Sequence, residues 1–124
     1  ADLRPLYRVV SITIRQPPLA HLPATVGEVH RSYHTLCRAD GMLYHSAICT
    51  AARQRDWKLV LHRRGEEMAK AAEALQASTH DVERFINDLR QTLEPPWTAE
   101  HRNAFAAAIG GLRTQSRLTT AKTR

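Results

Sequence analysis

The chain has 124 residues, enough for one domain with a modest core. An apolar fraction of 43% excludes disorder along its whole length, and 6% aromatics leave core building to Leu, Ile, Val and Ala, which suits helix packing better than a β-sandwich. The net charge of +6 is uneven: residues 1–65 hold ten Lys/Arg against four Asp/Glu, residues 66–112 hold four against eight, and residues 113–124 hold four against none. A basic front, an acidic middle and a basic end suit a nucleic acid, an acidic protein partner or mutual compensation.

Two cysteines are too few for a disulfide scaffold, and without a Cys-x-x-Cys pair the expectation is a reduced, cytoplasmic protein. No apolar run approaches the roughly 18–20 residues of a membrane span, so no membrane association is expected. The first residues, Ala-Asp-Leu-Arg-Pro, lack a signal peptide's apolar centre.

In chain order, the β-branched run Leu6–Arg15 places Val10, Ile12 and Ile14 on one face and predicts a strand. No convincing partner follows in the sequence. Residues 1–24 therefore form an extended N-terminal arm, laid across helices, paired with a second copy or made helical by its context. Thr25 and Glu28 have capping-box spacing, and Val26, Val29, Tyr33 and Leu36 continue at helical intervals until Asp40-Gly41. A long helical pattern then runs from Met42 to Ala77, with a drifting apolar face that implies a kink or break near Gly65 or packing against different neighbours along its length. Ser78 opens an amphipathic helix through Val82, Phe85, Ile86, Leu89 and Leu93, which Pro95-Pro96 stops. Thr98 caps a last helix whose face is Phe105, Ala108, Ile109 and Leu112, weakened by Gly110-Gly111. The fold class expected is all-α: a small bundle of about four to five helices over residues 25–112, with the extended arm (a lone β-strand in one version) and a disordered basic C-terminal tail, 113–124. The arm and the small core also make a homodimer the expected assembly.

The stretch 52–64 carries the most chemistry. Read as helix, it places Arg55, Lys58 and His62 on one face. Arg53, Arg55, Lys58, Arg63 and Arg64 then form a basic stripe that either is solvated or contacts nucleic-acid phosphates, aided by Arg113, Arg117, Lys122 and Arg124. Trp57 falls nearer the apolar side. With no base-reading motif present, the function expected is a non-enzymatic binding module on nucleic acid, in which charge supplies affinity. The alternative is a protein–protein adaptor or regulator with complementary acidic and basic helix faces.

Within that stretch, Arg55-Asp56-Trp-Lys-Leu-Val-Leu-His62 resembles the R-x(4–6)-H signature of the HEPN family. These are small all-helical domains, many of them metal-independent ribonucleases that act as dimers. The resemblance implies that Arg55 would stabilise charge on a scissile phosphate, that Asp56 is the polar residue after it, and that His62 would move protons. A further candidate set is His30, His34, Cys37, His45 and Cys49. If helices on either side of Asp40-Gly41 pair as a hairpin, His34, Cys37, His45 and Cys49 approach one another as zinc or copper(I) ligands. Otherwise Cys49 is a small core residue. No phosphate-binding glycine loop, Ser-hydrolase elbow or His-Glu-x-x-His is present, and no cofactor is expected.

Overall fold

A computed structural model describes residues 7–17 and 21–120, with side chains to residue 112. Residues 1–6, 18–20 and 121–124 lie outside the described residues, and with them the ends of the expected arm and tail.

The chain is mostly helical, but a two-stranded parallel sheet corrects the all-α expectation. Strand β1, Ser11–Arg15, is where the β-branched run predicts it. Its partner is β2, Lys58–His62, in the register Ser11↔Lys58 to Arg15↔His62. The expected lone strand therefore pairs within its own chain. Leu59-Val60-Leu61 favours a pleated, half-buried surface, and Ile12-Thr13-Ile14, distant in sequence, supplies the ladder that an isolated strand lacks.

Two helices cross over between these strands. Helix α1, Val26–His30, begins at the predicted capping box. The Glu28 amide donates to Thr25 Oγ1 at 3.3 Å, and the Thr25 amide donates to Glu28 Oε2 at 3.3 Å. The pattern to Leu36 is not one helix, because Ser32 caps a new one by accepting from the Thr35 amide. That helix, α2, runs Tyr33–Gln54, straight through Asp40-Gly41. One exposed glycine costs a helix about 1 kcal/mol, too little to interrupt a cooperative run of this length.

The expected helix from Met42 to Ala77 is thus two helices separated by a strand. α2 stops where Asp56 turns left-handed at φ 54°, and β2 follows. Gly65, at φ 88°, makes the turn into α3, Glu67–Leu75. Gln76 ends α3 in the left-handed region, and Ser78 caps α4, Thr79–Asp88, by accepting from the Asp81 amide. α4 is followed by one 3-10 turn, Leu89–Gln91, so the helix predicted through Leu93 ends early. Helix α5 runs Ala99–Thr120, past Gly110-Gly111 and into the segment expected as a disordered tail.

α2 packs on both strands, with Ile14 turned to it, while Thr13 and Arg15 on the opposite face meet α5 and α3. The core lies on the α3–α5 side. It consists of Ala71, Ala72, Val82, Ile86 and Ala106, with Met68, Trp97 and Ile109 against them. Of the face predicted for α5, Ile109 packs against the core and Phe105, Ala108 and Leu112 do not turn inward. Ala106, Ala107 and Gly111 point inward, while Phe105 stands partly exposed beside the Trp97 ring and Leu112 is 54% exposed. Small residues win because they permit contact: a Cβ at Gly110 would lie 3.0 Å from Lys70 Cβ, and one at Gly111 would collide with Thr13 Oγ1.

Candidate interaction surfaces

The basic stretch 52–64 is not a helix face. It divides among the last turn of α2, a left-handed turn, β2 and the turn that follows. Arg53 and Arg55 lie before the strand and Arg63 and Arg64 after it, so β2's rise of about 13 Å separates the two pairs. All four are exposed. Lys58 does not join them, because its Nζ is buried with no hydrogen-bond partner among the described residues. The Arg55 guanidinium sits 5.4 Å from the centre of the Trp57 ring, a cation–π contact. Side chains of Arg113 and Arg117, and the whole of Lys122 and Arg124, lie outside what is described.

The same strand parts Arg55 from His62. The two share no helix face, and the geometry that the HEPN resemblance implies is absent. His62 is buried, with Nδ1 3.2 Å from the Arg63 carbonyl oxygen and 3.6 Å from Glu67 Oε1. It belongs to a structural junction. Arg15 Nη2 donates to Glu67 Oε1 at 3.3 Å and lies 3.5 Å from Glu100 Oε2, tying β1 to α3 and α5. Burial pushes the Glu67 carboxyl up, but backbone hydrogen bonds at Glu67 and Gly65, the Arg15 guanidinium and the His62 ring hold it below its ordinary value. At Glu66 the Arg63 amide, and then Lys70, likewise lower the carboxyl.

The metal alternative required a helix hairpin at Asp40-Gly41, and α2 is continuous there. His34 and His45 are then about 16 Å apart along the axis, and Cys37 and His45 about 12 Å. The structure brings together His45 and Cys49, Nδ1 to Sγ 3.6 Å, as one i, i+4 pair with Cys49 buried and Cys37 exposed. His30 ends α1. Among the described residues no group of three His, Cys, Asp or Glu is placed to hold a metal ion.

What the sequence reading missed is the outward side of α1 and α2. Val26 is 74% exposed, Tyr33 78%, Leu43 69% and Tyr44 67%, with Leu36 and Ile48 near 40%. Tyr33, Leu36, Leu43, Tyr44 and Ile48 fall on one side of α2 by helical spacing. The opposite side, through Cys49 and Ala52, packs on the sheet. A groove of about 430 Å³ borders this surface, where Arg15 to Pro17 leave β1 beside Arg38, Met42 and His45. A signal was present in the sequence: from Tyr33 to Ala52 the formal charges are Arg38 and Asp40 alone, and two of the three tyrosines lie there. Depletion of charge with enrichment of Tyr is the composition of an interface centre. The presumed break at Asp40-Gly41 split that stretch and hid it.

No described helix is long and apolar enough to cross a membrane. The chain matches no protein-family model, no curated protein and no solved structure.

Proposed function

We propose that the chain is a non-enzymatic protein-interaction module that docks a partner on the outward side of α1 and α2. The observation that carries this reading is the exposure of Val26, Tyr33, Leu43 and Tyr44 on a charge-poor helix side. Scattered single apolar residues on a surface need no explanation, but Tyr33, Leu36, Leu43, Tyr44 and Ile48 share one side of α2, and a group of this size marks a docking site. Tyrosines supply large contact area and a hydroxyl that remains satisfied at a wet rim.

Site-specific photocrosslinking tests it. A benzophenone side chain at Leu43 should give discrete protein adducts in cells, and the same group at Phe85, an exposed apolar position on α4, should not. Equal labelling from both positions, or none from Leu43, would contradict the proposal.

A second reading, phosphate contact, keeps one specific support. Among the described residues Arg53, Arg55, Arg63 and Arg64 are exposed and take part in no salt bridge. If it holds, Arg63→Glu with Arg64→Glu weakens binding to labelled RNA or DNA on any sequence and reduces the salt slope of affinity by about two contacts. Fluorescence anisotropy across a salt series measures both effects.

A further inference from the structure

We infer that the occupant of the α1–α2 surface is a second copy of this chain, so that α2 pairs with α2 across a two-fold axis. The inference rests on the reading of that surface as a docking site and names its partner.

The first argument is area. With full areas on the order of 150–250 Å² for residues of this size, the exposed fractions of Val26, Tyr33, Leu36, Leu43, Tyr44 and Ile48 amount to roughly 750 Å². A standard interface takes about 800 Å² from each partner. The outward side of α1 and α2 therefore comes close to the area that a stable dimer takes from each partner.

The second argument is need. Large side chains buried to below 2% exposure are few: Ile86 qualifies, with Val82 at the limit, and every other buried apolar residue among those described is Ala or Cys. A domain of this length that leaves Tyr33, Leu36, Leu43 and Tyr44 exposed on one helix side has a thin core of its own. Pairing supplies the missing burial in every molecule at once, and a second copy is always present at the same concentration.

The third argument is charge. The protein is strongly basic, so two copies repel over most approaches. By helical spacing the apolar side of α2 carries Asp40 as its one formal charge, with Arg38 turned to the groove beside β1, so a second copy meets little of the protein's net positive charge there. An acidic partner would instead be drawn to the ends of β2, where the exposed arginines lie. The α2 surface also has the shape of its proposed complement, one 22-residue helix about 33 Å long.

Sedimentation-equilibrium analysis of the wild type and of three single variants decides the matter. The wild type should sediment at twice 14.0 kDa. Leu43→Lys and Tyr44→Lys should sediment at the monomer mass with unchanged helical circular dichroism, and Phe85→Lys should remain dimeric. A monomeric wild type overturns the second copy while leaving the surface open to another protein, which the Leu43 crosslink reports separately. A dimer that persists in both α2 variants overturns this inference by placing the contact elsewhere.

Discussion

Glu67 is the residue at which the sheet is fastened to the helices, because its carboxylate takes Arg15 from β1 and faces His62 at the end of β2. It is almost fully buried, whereas Arg15 keeps about a third of its side chain in water. Removing the acid by Glu67→Ala should therefore cost about 2 kcal/mol, less than for a fully enclosed pair, read as a lower urea midpoint. The pH dependence follows from the lowered carboxyl. Its folded value lies below the reference of 4.5, so its stabilisation is complete above that pH and is lost as pH falls through the folded value. Glu67→Gln should flatten the fall of the urea midpoint below pH 4.5 relative to wild type. An unchanged acid limb would remove Glu67 from the junction.

At the scale of elements, glycines separate contact from open space. Gly111→Ala drives a methyl group into Thr13 Oγ1 and should cost about 1–3 kcal/mol, while the same change in a Thr13→Ala background should cost less. Gly41→Ala meets nothing within 4 Å and should raise stability by about 1 kcal/mol through helix propensity. Thermal melts of these variants and of Thr13→Ala alone check both signs. Elements whose signals are local were legible in the sequence: β1 from its β-branched alternation, α1 from Thr25 and Glu28, α4 from Ser78, Val82 and Ile86. Elements that depend on a distant partner were not. Leu59-Val60-Leu61 is too short to separate strand from helix by periodicity, and Ile12-Thr13-Ile14, more than forty residues earlier, decides it. The inward side of α5 escaped for a related reason. Hydrophobic size points to Phe105 and Leu112, but close approach to Thr13 and Lys70 selects Ala106, Ala107 and Gly111.

For the whole molecule, the candidate site was legible in composition and hidden in conformation. The cations at Arg53, Arg55, Arg63 and Arg64 are where the sequence says, but a strand sets them in two pairs and withdraws Lys58 and His62 from the surface. The apolar side of α2 became visible once the helix was continuous through Gly41. The resulting architecture is layered, with α2 on one face of a small parallel sheet, α5 on the other, α3 packed on α5 and joined to the sheet through Glu67, and the outermost side of α2 left charge-poor.

Apolar docking and phosphate or acidic-partner contact respond to salt in opposite ways, because screening weakens charge contacts while excluded salts favour apolar burial. The most direct measurement is therefore the yield of the photocrosslink from Leu43, repeated in cell lysate across a salt series. A yield that holds or rises with salt is the result predicted for docking on the α1–α2 surface. A yield that collapses as salt rises would contradict it and return function to the arginines at the two ends of β2.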